Sequence, residues 1–300
     1  MNAIEIKNLS KSFRGMYAVD HLNMTVPQGA IYGFIGENGS GKSTTEKLIC
    51  GHLVPDCGEI KLFDKDYTDP GVRVRVGALI ENAGCFPGSS VYQNLMMQCI
   101  NLGIENADEE IRRVLEIVRM EDNAALKFKK CSLGMKQRIG IAMALLGDPA
   151  LLILDEPING LDTDGMRIMR EILVDITKKY GCTVLISSHI LGELEKIATH
   201  NGIIRQGKMI MELSAEEMDA RAQVFVSLKT SDMQGAKAAL CKQYTSVREE
   251  EGYLRIYDIE DTAAIVNYLM KNGHVVSEIS KNKIGLEEYY IELMSKKEAE

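Results

Sequence analysis

The sequence predicts an α/β fold: a mostly parallel sheet with helices packed on it, an antiparallel β layer beside it, and a smaller C-terminal α/β domain. Three observations carry this. Short runs that are apolar almost throughout recur at residues 30–35 (AIYGFI), 150–154 (ALLIL) and 183–187 (TVLIS), the pattern of strands buried on both faces. A helical pattern over roughly 165–179 separates the last two, and buried strands alternating with helices make a parallel sheet. From about residue 214 the chain changes to short elements in the order β-α-β-β-α-β, a ferredoxin-like arrangement.

Taken in order, residues 3–7 (AIEIK) and 22–26 (LNMTV) alternate apolar with polar, as half-exposed antiparallel strands do. The buried strand at 30–35 runs into a glycine-rich loop, and residues 42–50 have helical spacing with Gly51 as the stop. Residues 88–147 read as mainly helical. Within them Ile111, Val114, Leu115 and Val118 form one apolar stripe over 108–120. Beyond 214, Ser214 and Glu217 suggest a capping box opening a short helix. A strand near 223–229, a helix near 232–243, a hairpin across 246–258, a helix near 261–272 and a strand near 275–280 follow, with a last helix over 285–296.

Three hundred residues accommodate one large and one small domain, and we place the boundary between 1–213 and 214–300. The formal charge of −8 argues against a nonspecific grip on nucleic-acid phosphates, so no nucleic-acid partner is expected. Seven scattered cysteines, never spaced CxxC, suggest neither a disulfide framework nor a zinc site and point to a reducing compartment. No run approaches the ~20 apolar residues of a membrane-spanning helix, and the N-terminal residues lack a signal-peptide core. A soluble chain is expected, with any membrane role reached through a partner.

The chemistry begins at residues 36–44, GENGSGKST, which fit G-x-x-x-x-G-K-[ST] between a strand and a helix. Gly36, Glu37, Asn38, Gly39, Ser40 and Gly41 form a loop whose backbone N–H groups cradle phosphates, with glycines allowing the tight turn. The following helix adds the positive end of its dipole. Lys42 is expected between the β- and γ-phosphates of ATP, Ser43 on Mg2+, and Thr44 on the α-phosphate. The buried strand at 150–154 then ends in Asp155 and Glu156, which puts two carboxylates at the C-terminal edge of the sheet, where open α/β sheets bind ligands. Asp155 is expected to hold Mg2+ through water, and Glu156 to act as general base or to position the attacking water.

With both segments in hand, the chain resembles an ATP-binding cassette protein over residues 1–212. Residues 131–138, CSLGMKQR, stand where that family carries its signature, commonly LSGGQ; Ser132 and Gly134 match, while Leu133 and Met135 replace the usual glycine and glutamine. The resemblance implies a RecA-like P-loop core with an antiparallel β subdomain and a helical signature subdomain at about 88–147. It implies that Ser132 and the Gly134 backbone contact the γ-phosphate of ATP held by an opposite subunit. Asn159, Gly160, Leu161 and Asp162 match the loop that crosses the dimer interface. His189 follows TVLISS as the family's γ-phosphate-sensing histidine does. Phe13 stands where an aromatic ring stacks on adenine, with Tyr17 the second choice.

One departure concerns the family's glutamine loop. After the strand at 76–80 (VGALI) the next residue is Glu81, similar to cassettes of lantibiotic self-protection and bacitracin-type resistance systems. A carboxylate binds Mg2+ more strongly than an amide oxygen, so Glu81 is expected to touch Mg2+ directly or through water and to couple nucleotide state to loop 82–90. The resemblance further implies a second cassette, identical or a sister chain, sandwiching two ATP molecules. It implies permease subunits docking near 82–100, where Phe86 and Tyr92 are either exposed for contact or packed in the core. The expected role is an ATPase subunit at the cytoplasmic side of the membrane, driving export of or self-protection against antimicrobial peptides. The alternative is a soluble mechanical ATPase on ribosomes or DNA. Against it stand the single phosphate loop, the absence of sustained heptads and the net charge. A purely regulatory nucleotide-binding protein is disfavoured because Glu156 is present.

Overall fold

Two strands of twelve residues, β1 (Asn2–Phe13) and β2 (Met16–Pro27), open the chain as an antiparallel hairpin. They extend well past the alternating stretches read from the sequence. Register shifts around Leu9 and Lys11 break the period of two, as bulges do, and Asn8 and His21 take positive φ of 47° and 49°. The chain then enters β3 (Ile31–Ile35), α1 (Lys42–Ile49), β4 (Cys57–Leu62), β5 (Lys65–Asp66), α2 (Pro70–Arg73) and β6 (Val76–Leu79). β4 and β5 complete a four-stranded layer of order β2-β1-β4-β5.

Three helices follow: α3 (Val91–Leu102), α4 (Ala107–Ile117) and α5 (Leu133–Leu145). A capping box of Ser90 and Gln93 starts α3, and Gly103, at φ 70°, ends it. The stripe Ile111, Val114 and Leu115 is buried on α4, with Val118 buried just after it. The chain returns through β7 (Leu151–Asp155), α6 (Thr163–Tyr180), β8 (Thr183–Ser188), α7 (Leu191–Leu194), β9 (His200–Arg205) and β10 (Lys208–Ser214). These build a six-stranded sheet of order β10-β9-β3-β8-β7-β6. β3, β6, β7, β8 and β9 are parallel, and β10 is antiparallel at one edge. All five residues of β3 and all six of β8 are buried, which explains why those strands read as unbroken apolar runs. The core between the two sheets is filled by Ile6, Met24, Tyr32, Phe34, Leu151 and Ile153 with Leu48 and Ile49 of α1.

The computed structural model describes residues 1–221, 224–250, 252–257, 259 and 261–283 and divides into two compact units, Met1–Ala215 and Glu216–Glu300. The second contains α8 (Ala215–Arg221), β11 (Val224–Thr230), α9 (Met233–Leu240), β12 (Val247–Glu250), β13 (Tyr253–Tyr257), α10 (Thr262–Lys271) and β14 (Val276–Lys283). Its antiparallel sheet has the order β12-β13-β11-β14, the ferredoxin-like arrangement. Ala236 and Leu240 of α9 and Ile265 and Leu269 of α10 pack with Val226, Leu228, Leu254 and Ile256 from the strands. The helix expected over 285–296 lies outside the described residues. No described helix is long and apolar enough to cross a membrane.

Candidate active site

The phosphate loop leaves β3 at its C-terminal end and enters α1, an arrangement that needs glycine at two points. A Cβ at Gly36 would stand 2.5 Å from both the Ile204 carbonyl oxygen and Ser40 Oγ. At Gly41, where φ is 111°, it would stand 2.4 Å from the Ala18 carbonyl oxygen. The same contact brings β2 against the loop, with Tyr17 adjoining it in sequence, and Tyr17 and Phe13 both remain exposed. Lys42 is only 5% exposed. Its Nζ donates to the carbonyl oxygens of Gly36 at 2.6 Å and Glu37 at 3.1 Å and lies 3.6 Å from Glu156 Oε1. Ser43 and Thr44 form the first turn of α1 and are half-buried.

The acidic pair stands at the end of β7, behind four fully buried residues, Leu151 to Leu154. Ser187 of β8 ties the pair together: its hydroxyl donates to Asp155 Oδ1 at 2.9 Å and accepts from the Glu156 amide at 3.2 Å. Glu156 takes φ 50°, a left-handed conformation that costs a non-glycine residue energy and is typical of functional sites. Its Oε2 lies 2.7 Å from His189 Nδ1. Glu156 is therefore held between Lys42 and His189, three residues that the sequence nominated from three separate segments.

Two members of this cluster escaped the sequence reading. Ser187 is one; only its place just before Ser188 and His189 hinted at it. The other is Glu46, fully buried on α1 one turn after Lys42, with neither carboxyl oxygen in hydrogen-bonding geometry with any partner. Burial first, and the neighbouring Asp155 charge second, push its carboxyl up to about 8 from an ordinary 4.5. Helical spacing carries the signal: Glu46 is four residues after buried Lys42 and three before buried Ile49, so it shares their inward face.

Glu81, expected at the metal, is paired with a cation of the chain itself. Its Oε1 lies 2.6 Å from Lys47 Nζ on α1, and the residue takes φ 66° just beyond β6. That hydrogen bond and the ammonium charge hold its carboxyl below the usual range. In the neighbouring loop, Asn94 clamps Phe86 through both backbone groups, accepting from its amide at 2.7 Å and donating to its carbonyl at 3.2 Å. The Phe86 ring is 61% exposed. Tyr92 is half-buried, and its hydroxyl donates to Asp108.

The signature residues gather elsewhere. Ser132 caps α5 by accepting from the Met135 amide at 3.3 Å, and Asp162 caps α6 by accepting from the Gly165 amide at 2.8 Å. Ser132, Leu133, Gly134 and Met135 share with Gly160, Leu161 and Asp162 an open cleft of about 420 Å³. Asn159 stands at the start of that second loop, its amide donating to the Glu156 carbonyl at 3.1 Å. No residue of the phosphate loop lines this cleft. The residues of loop 36–44 and those of 132–135 with 160–162 thus occupy separate places on the chain.

A family model for ABC transporters matches residues 19–159. The bacitracin transport ATP-binding protein of Bacillus licheniformis is 36% identical over 298 residues, covering 97% of each chain. The chain belongs to the ABC transporter family. Its ATP-binding cassette is an ATPase subunit of a transporter. A lantibiotic transport ATP-binding protein of Streptococcus pyogenes is 38% identical over 209 residues, 70% of this chain and 90% of that one. Among solved structures, the cassette is similar to cbiO1 of Clostridium perfringens, part of a cbiONQ transporter complex, with a TM-score of 0.67 and 26% identity over 73% of this chain and 91% of that one. It also shares its fold with the dimeric ATP-binding cassette MJ0796 bound to ADP and phosphate, at a TM-score of 0.64 and 21% identity over 71% of this chain and 98% of that one.

Proposed function

We propose that this cassette powers export of, or self-protection against, antimicrobial peptides of the bacitracin or lantibiotic kind, through permease subunits on separate chains at the cytoplasmic face of the membrane. The observation that carries the substrate class is the end-to-end match to a bacitracin transport ATP-binding protein, which covers 97% of both chains. The soluble mechanical ATPase finds no comparable support.

In this reading the phosphate loop, residues 36–44, and the N-terminus of α1 hold the ATP phosphates, and Lys42 reaches from its carbonyl partners to the β- and γ-oxygens. Phe13 or Tyr17 stacks on adenine. Ser43 and Asp155 hold Mg2+, with Glu81 as a further oxygen donor. A hydroxyl and carboxylates form the all-oxygen set that this hard cation takes, and unpartnered Glu46 beside Asp155 marks an excess of acidic groups there. Bound at that place, Mg2+ neutralises charge on the terminal phosphates. Glu156, fixed by His189, orients the attacking water and takes its proton. His189 senses the γ-phosphate. A second cassette supplies Ser132, Leu133, Gly134 and Met135, and residues 159–162 cross between the two. Phe86, held outward by Asn94, supports docking of the permease at loop 82–90.

Expression with the cognate membrane subunits tests the substrate class. A susceptible bacterial host should gain at least fourfold resistance to bacitracin or a lantibiotic, and the Glu156→Gln chain should confer none. ATP-dependent turnover without any change in susceptibility would rule out the peptide substrate.

A further inference from the structure

Glu81 lies two residues beyond β6, the strand next to the one that delivers Asp155 and Glu156. β6 and β7 run parallel with Leu79 opposite Leu154, so both chains leave the sheet at the same edge. Its carboxylate is nevertheless turned to α1, where it meets Lys47 at 2.6 Å. Lys47 is four residues after Ser43, and residues at that spacing are neighbours on one helix face, about 5–6 Å apart. The Glu81 carboxylate is thus tied to α1 by a residue one turn beyond the hydroxyl assigned to the metal. The backbone is tightly turned at the same point, with φ 66° at Glu81 and the Asn82 amide donating to the Ile80 carbonyl at 3.0 Å. Any rotation that relaxes this turn moves loop 82–90 along with the carboxylate.

We propose that Lys47 is a positioning residue that holds Glu81 on α1, one turn beyond Ser43, and gives it up when Mg-ATP binds. This rests on the reading that Glu81 meets Mg2+. Both cations recognise the same ionised carboxylate, so one charge-assisted contact replaces another and the ends of the exchange differ mainly in where the loop is anchored. Lys47 then competes with the metal. Because Glu81 is 64% and Lys47 32% exposed, its competition is modest, as for other solvated ion pairs.

The test measures Mn2+ affinity by electron paramagnetic resonance on the full chain saturated with a non-hydrolysable ATP analogue. Lys47→Met should tighten Mn2+ binding about threefold, the scale of an exposed ion pair, and Lys47→Arg should leave it unchanged. In the Glu81→Gln background, Lys47→Met should have no effect. Unchanged or weaker binding for Lys47→Met, or equal tightening in both backgrounds, overturns the proposal, the latter because it would reflect general charge alone. Failure of the underlying reading looks different: Glu81→Gln by itself would then leave Mn2+ affinity as it is in the natural chain.

Discussion

The two functional halves of the cassette are built on opposite principles. At the phosphate-loop half, charged groups from Lys42, buried, to His189, exposed, are already engaged with one another. Lys42 bonds two loop carbonyls, Glu156 is held by His189, and Ser187 bridges Asp155 to the next amide. At the signature half the same chain leaves an open cleft, with Leu133 51% exposed at its edge. Buried charge is tolerated only where partners compensate it, and the first half supplies its own. The second half has helix caps, with Arg138, Asp162 and Asp164 among the residues lining its cleft.

The sharpest way to break this comparison is to damage the open half and ask whether the closed half notices. A Cβ at Gly134 would stand 3.5 Å from Leu161 Cδ2, an ordinary contact, so Gly134→Glu should leave the fold intact. Turnover should drop about 10²–10³-fold, the scale of losing a preorganised donor at a developing charge. ATP affinity of the isolated chain, measured by fluorescent-nucleotide titration, should stay within about threefold of the natural value. A parallel loss of affinity would show that the signature residues belong to their own chain's nucleotide site.

Glu46 sharpens the same comparison from the closed side. Its carboxyl titrates near 8 in the folded chain against 4.5 ordinarily, so the folded state holds the proton more tightly. The resulting stabilisation is fully present below about 4.5 and is lost as pH rises through about 8. Between pH 6 and 8 the natural chain should therefore lose up to about 2–3 kcal/mol that the Glu46→Gln chain retains. Chemical denaturation at the two pH values reads this out, and parallel stabilities would mean that Glu46 is ionised and compensated in the fold.

The pieces legible in the sequence were those whose signal is local. The loop 36–44 is contiguous, Asp155 and Glu156 directly follow an apolar run, and the β-α-β-β-α-β order of the second unit follows from short-range periodicity. What stayed hidden depends on contacts between distant segments. Ser187 meets Asp155 only because β7 and β8 pair, and Lys47 meets Glu81 only because α1 lies beside the turn after β6. The hairpin β1–β2 is only partly legible for a second reason, since its bulges destroy the alternation that announces a strand. Glu46 was visible on the buried face of α1, but an acidic residue in that position reads as solvent-facing unless the helix is phased from Lys42.

The most direct measurement of the central claim is the mass in solution of the Glu156→Gln chain at saturating Mg-ATP, by light scattering. Two complementary half-sites per chain predict a dimer that depends on ATP and disappears when Gly134→Glu is added. A species that stays at 33.3 kDa under those conditions would contradict the account.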